Sequence, residues 1–278
     1  MKTQACISCG NEFSGIYCNE CGEKVIHRDD RKLKYFLGEF VNAITFADSK
    51  FWRTLKYILI KPGKFSRDFV DGKRNAYMRP VSVFFFANLI YFLFPLFNTF
   101  NNNLQTQIGD GTFIHSSIAN ELVKNEIEER NISFQEYEII YNIKTSELSK
   151  MLLIIMAVFL ALFFALIHYP ERHPIADHMV ASLELMTFVV LFAIQLQGLI
   201  IYFMRRMKYF TRSEWMSELT ISAVALVMLI YFFMKMERNF YKASKQKALL
   251  NTILCIGSFI VVLYAYRAML FFVTFWSI

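Results

Sequence analysis

Apolar residues gather into five long runs in the later part of the chain, residues 80–100, 151–168, 179–204, 216–234 and 248–275. Each approaches or exceeds the roughly 20 residues that cross about 30 Å of hydrocarbon. Ahead of them lie two shorter stripes at helical spacing. Leu33, Phe36, Leu37, Phe40, Val41 and Ile44 form the first; Phe51, Leu55, Ile58 and Leu59 form the second, after Asp48, which is placed to cap it. Neither stripe is long enough to span, and both carry Phe with Lys or Arg, the second with Trp too, a mixture that suits the headgroup plane. Pro62-Gly63 ends the second stripe. Between the first two long runs, residues 101–147 are polar, with a helical pattern at 117–130. Ser133 and Glu136 then have the spacing of a capping box, opening a helix that runs into the second span. The pattern predicts a mainly α, polytopic helical membrane protein with five spans.

Composition agrees: 55% of the 278 residues are hydrophobic, including 30 Phe and 14 Tyr, more than a soluble core of this length requires. The first thirty residues are polar and lack the apolar segment of a signal peptide, so the amino terminus is expected to stay where it is made. Charge then orients the chain. Nine basic residues lie between Lys50 and Arg79, whereas residues 101–147 hold eight acidic and three basic ones. With the amino terminus cytosolic, inner segments carry fifteen basic residues and outer segments seven, which predicts an extracytoplasmic carboxy terminus. The basic "RRMKYFTR" loop runs against this tendency.

Four of the five cysteines form two tight pairs, Cys6-x-x-Cys9 and Cys18-x-x-Cys21, each followed by a glycine. In a reducing compartment such pairs favour metal over a disulfide or redox role. Four thiolates complete the tetrahedral shell of one structural Zn2+ and leave no position for water. Phe13 and Tyr17 are expected to form the core of this small ribbon, with contact residues as the other reading. Cys255, in the last apolar run, reads as packing. The expected domains are a zinc ribbon at 1–26, interfacial helices at 27–79, and a five-span bundle at 80–278 with its acidic outer loop at 101–147.

The stretch "FADSKFWRTLKYILIKPGKFSRDFVDGKRNAYMRP" carries Pro62, Gly63, Gly72, Lys73, Arg74, Tyr77 and Pro80. In this, and in its four-cysteine ribbon, the chain resembles a family of uncharacterised multi-pass bacterial membrane proteins. That family also shows an acidic-His pair and a second His in a later turn. Here Asp177-His178 keep the pair, and Glu184 stands in the second position. The resemblance implies a bacterial inner-membrane location and no particular activity.

Three groups of polar residues invite functional readings. Lys73, Arg74 and Arg79 beside Gly72 are candidates for contact with phosphate or lipid headgroups. His168, His173, Asp177, His178 and Glu184 gather about one predicted hairpin turn as a candidate second metal or polar site, with interfacial side chains as the plainer alternative. Gln195, Gln197 and Arg267 are intramembrane, and helix rise puts Gln197 and Arg267 at similar depth near the outer edge, where they are expected either to pair or to let Arg267 reach the outer headgroups.

These features favour a membrane-embedded interaction, scaffold or signal-relay protein whose cytosolic ribbon recruits a protein partner, with membrane lipid as its other contact. An oligomeric channel or transporter component is the first alternative, built as a homo-oligomer around Asn88, Glu184 and the glutamines. A lipid-headgroup enzyme using His168, His178 and Glu184 is the second. No nucleophile elbow or phosphate-cradling glycine loop is present, and nothing resembles a groove-reading helix for nucleic acid.

Overall fold

The computed structural model describes residues 3–6, 8–15, 17–21, 50–94, 96, 99–100, 102–109, 111, 113–206 and 218–278, without the side chains of 204–206 and 218–220. The expected helix over 33–44, the Asp48 cap, the end of the ribbon at 22–26 and most of the "RRMKYFTR" loop lie outside these residues. The chain divides into two compact units, Met1–Lys50 and Phe51–Ile278.

In the first unit, β1 (Gln4–Ala5) pairs antiparallel with β2 (Glu12–Phe13), Gln4 opposite Phe13 and Ala5 opposite Glu12. Gly10 turns the chain between them at φ 74, a left-handed value that glycine takes without strain. Among the described residues Phe13 is buried with Cys6 and Cys18 as one apolar cluster, whereas Tyr17 is 61% exposed. The expectation that both aromatics pack inside is therefore corrected: Phe13 points in and Tyr17 out.

The second unit is helical. A helix over residues 50–60 (α1) is followed by α2 (Lys64–Val70), a short turn at Arg74–Ala76, and α3 (Pro80–Leu93). The polar segment folds as α4 (Leu104–Ile108) and α5 (Ser116–Arg130). α6 (Phe134–Ile167) opens on the full Ser133–Glu136 capping box and runs for 34 residues. α7 (Ile175–Phe188) continues through a π-helical stretch, Val189–Leu196, into α8 (Gln197–Arg206). α9 (Glu218–Asn239) and α10 (Lys245–Ser277) complete the chain.

Among the described residues, four helices are long and apolar enough to cross a membrane: Arg74–Leu93, Phe134–Ile167, Ile175–Phe203 and Lys245–Ser277. The third is the central one, since 61% of its apolar window is buried against 33–39% for the others. α6 packs on α7 and α10, α3 on α7 and the π stretch, and α9 on α10. Their shared core is strongly aromatic, with Phe84, Phe164, Phe188, Phe232 and Phe233 fully buried. Outward faces stay apolar, as Phe85, Leu89, Leu162, Ile253 and Val261 show.

The first apolar run departs from its expected length. Helix stops at Leu93 rather than continuing to 100. Phe94 precedes Pro95, and a residue before proline is pushed out of the helical region.

Candidate functional site

The four cysteines form the one cluster of metal-ligating side chains among the described residues. Their sulfurs all lie within 4.8 Å of one another. Cys6 and Cys21 Sγ are 3.4 Å apart, and Cys9 and Cys18 Sγ are 3.6 Å apart. Disulfide sulfurs sit about 2.05 Å apart, whereas sulfurs at about 2.3 Å from a tetrahedral ion lie about 3.8 Å apart. The spacing fits a metal. Local chemistry prepares two of the ligands: a backbone N–H from Cys9 draws the Cys6 thiol below its ordinary range, and one from Cys21 brings Cys18 down to about 6, while Cys9, despite a backbone N–H from Asn11, is held above its ordinary range by burial and by its Cys18 and Cys6 neighbours. Thiolate is the form that binds metal.

The second unit holds a joint at Lys61–Pro62–Gly63. Two helix ends meet here, and each carries backbone groups without intrahelical partners. The Tyr231 hydroxyl donates to the carbonyls of Leu59 (3.2 Å) and Ile60 (2.8 Å), and Asn239 Nδ2 donates to Pro62 O at 2.8 Å. On the other side of the corner, Glu184 accepts the Gly63 N–H at 2.7 Å, the Ser66 N–H at 3.0 Å and the Ser66 hydroxyl. A buried carboxyl from α7 thus caps α2, which has no side-chain cap of its own. Gly63 sits at φ 80, and a Cβ there would lie 2.8 Å from Met236 Cα. Only glycine fits the corner. Gly63→Ala is expected to cost roughly 2–4 kcal/mol, from left-handed strain plus overpacking, read as a lower unfolding midpoint in detergent.

Asp68 organises the turn that follows. It accepts from Lys64 Nζ (2.8 Å), Lys73 Nζ (3.3 Å) and Tyr77 Oη (2.8 Å), while its backbone carbonyl takes the Lys73 N–H. Burial alone would raise the Asp68 carboxyl, but the hydrogen bonds from Lys64, Tyr77 and Lys73 outweigh it and hold the group below its usual range. Of the three headgroup candidates, Lys73 is therefore an ion-pair partner and Arg74 lies over the Phe69 ring at 5.3 Å. Arg79 is exposed at the N-cap of α3.

His168, His173 and His178 gather about the Tyr241 ring, with the His168–His178 and His173–His178 ring centroids 6.1 and 6.0 Å apart, and Glu184 lies elsewhere. His173 pairs with Asp177 at 3.5 Å. His168 meets Glu237 at 3.0 and 3.1 Å through Nε2, while its Nδ1 donates to Phe164 O. A carbonyl only accepts, so Nδ1 holds a proton and one further proton is shared between Nε2 and the carboxyl. Asn251 Nδ2 donates to the same carboxyl at 2.9 Å, and the Tyr241 ring stacks on His168 with centroids 3.5 Å apart. Burial pushes the Tyr241 hydroxyl well above its ordinary value, so it keeps its proton and donates to His178 Nδ1 at 2.9 Å. Glu184 belongs to the joint instead. The expected polar cluster changes in one member: Glu184 leaves it for α2, while His168, His173, Asp177 and His178 stay together with Glu237, Tyr241 and Asn251.

The intramembrane set is corrected likewise. Gln195 Nε2 donates to Ile90 O (3.3 Å) and Phe94 O (2.6 Å), closing the end of α3. Arg267 donates to Thr99 O at 2.9 Å, and Gln197 to Ile221 O at 2.8 Å. None of the three pairs with another. They satisfy backbone carbonyls, which lipid cannot do. Gln195→Leu is expected to cost about 1–3 kcal/mol for the Phe94 carbonyl left without its donor, Ile90 O keeping the Phe94 N–H at 3.0 Å, again read as unfolding in detergent.

Glu237, Asn251, Tyr241, Asp68 and Ser66 escaped the sequence reading. The one visible signal was an acidic residue in the basic run "KMERNFYK" and an amide inside an apolar one. Residues 48–92 match a family described as "Protein of unknown function (DUF3667)". No curated protein and no solved structure matches the chain. The matched stretch is α1, the Pro62-Gly63 joint, α2, the Asp68 turn and most of α3, which supports the resemblance to an uncharacterised family.

Proposed function

We propose that this chain is a membrane-embedded interaction protein whose ribbon, holding one Zn2+ in the cytosol, recruits a protein partner. Its remaining length is a five-span bundle in a bacterial inner membrane, with the carboxy terminus outside. The span added to those four is α9, fourth in chain order, whose 22 residues reach about 33 Å at helical rise. The excess of inner basic residues supports the orientation.

The observation that carries the functional part is the ribbon's own division of labour. Its four sulfurs close the coordination shell and Phe13 fills its core, so neither offers chemistry to a substrate. Tyr17 is left outside, large and 61% exposed, on a frame held by metal. Tyrosine is enriched among the residues that dominate protein interfaces. The channel and enzyme alternatives lose their central residue, because Glu184 is occupied in capping α2 and is 1% exposed.

Crosslinking and pull-down from native membranes test this. Removing residues 1–26 is expected to leave insertion intact and abolish recovery of a cytosolic partner. Tyr17→Ala is expected to retain metal and weaken that partner by about thirtyfold, the effect of an interface residue contributing roughly 2 kcal/mol. A truncated chain that keeps all its partners would rule the ribbon out as the recruiting element.

A further inference from the structure

The basic collar separates into two chemical populations. Lys64 and Lys73 share the one carboxylate of Asp68, and Arg67 pairs with Asp71 at 2.9 Å. Arg53, Lys56 and Lys61 meet no carboxylate among the described residues; Lys61 lies only over the Tyr57 ring, at 6.0 Å. These three line the same cavity, of about 620 Å³, with Trp52, Tyr57 and Tyr77 among its other walls and no acidic residue among the described residues that line it.

The walls are held in place. Thr54 and Ile58 bury the opposite face of α1. Thr54 Oγ1 accepts the Met78 N–H at 3.1 Å, which fixes α1 against the turn carrying Tyr77. Tyr77 is itself tied to Asp68 and packs edge-on against Tyr57, with centroids 5.5 Å apart. α1 also reaches across the bundle: Phe51 packs on Phe86 of α3, and the carbonyls of Leu59 and Ile60 meet Tyr231 of α9. It is thus fixed beside α3, part of the first of the four helices long and apolar enough to cross a membrane.

We infer that this cavity is a binding site for a phosphate-bearing anion, its charge held by Arg53, Lys56 and Lys61 and its apolar part by Trp52, Tyr57 and Tyr77. Arginine offers a planar fork to two phosphate oxygens, and the lysines add point charges. Aromatic walls suit a ligand that is charged at one end and oily beyond, as an anionic phospholipid headgroup with its glycerol and first methylenes is. A free phosphate shares the charged end only. The site does not depend on what the ribbon recruits.

The test uses the full chain in a zwitterionic detergent, titrated separately with short-chain phosphatidylglycerol, short-chain phosphatidylcholine and inorganic phosphate, binding being read by calorimetry. The variant is Arg53→Gln/Lys56→Gln, two exposed side chains with no carboxylate partner among the described residues. Lys242→Gln/Lys245→Gln removes the same charge from another exposed stretch. Phosphatidylglycerol binding that falls about thirtyfold in the first variant, at about 1 kcal/mol per cation near a surface, and is unchanged in the second, establishes a headgroup site. Binding of inorganic phosphate with the same dependence establishes a site for the free anion. Equal binding of phosphatidylcholine, equal losses in the two variants, or no saturable binding by either anion would overturn the inference.

Discussion

Glu184→Leu is expected to destabilise the second unit by roughly 3–5 kcal/mol and to loosen the Pro62-Gly63 joint from the bundle. The substitution preserves an apolar stem but removes the acceptor for three donors, the Gly63 N–H, the Ser66 N–H and the Ser66 hydroxyl. Each buried donor left unmet costs about 1–3 kcal/mol, and partial relaxation keeps the total below the simple sum. The Ser66 hydroxyl has a fallback in Val180 O at 3.4 Å, so the two backbone donors supply most of the loss. Glu184→Gln is expected to lose about half as much, because one amide oxygen still accepts while the NH2 meets a donor. The measurements are the unfolding midpoint in detergent and protease cleavage within 61–79. A leucine variant with the parent's midpoint and cleavage pattern would show that the carboxyl does not hold the joint.

What was legible in the sequence was whatever repeats along one element. Apolar runs gave the helices, Ser133 with Glu136 gave a true capping box, and two Cys-x-x-Cys pairs gave the sulfur cluster. Partners between elements were not legible. Asp177 and Glu184, seven residues apart, share a helical face, yet the groups meeting Glu184 come from about 120 positions upstream. Depth arithmetic placed Arg267 and Gln197 at a similar level, but their acceptors are carbonyls of Thr99 and Ile221. Every residue has a carbonyl, so no residue type signals that role. The Thr99 carbonyl follows the early end of α3, and Pro95 was the signal for that end; Ile221 lies in α9. Gln195 and Arg267 thus serve the chain at and after a broken helix end, and their cost in lipid is offset by the backbone groups they satisfy.

Removing the ion is expected to have the largest effect of all, confined to the first unit. A core of Phe13 with two cysteines cannot hold a chain against its conformational entropy. In small zinc domains metal binding supplies roughly 10–16 kcal/mol, so such folds are two-state between unfolded apo and folded holo forms. Treatment with a transition-metal chelator should therefore abolish amide protection across residues 3–21 and leave the unfolding midpoint of 51–278 in place. Zn2+ should restore protection and Mg2+ should not, since thiolates select the softer ion. Cys18→Ser should behave as the stripped chain does even with zinc present, because a hydroxyl is a poor substitute for a thiolate. The same treatment separates frame from contact surface. Chelation should abolish partner recovery to the extent that deleting 1–26 does, whereas Tyr17→Ala should weaken it with protection intact. Amide protection that survives chelation would mean that some other interaction holds the ribbon, and Tyr17 would then need no metal to be presented.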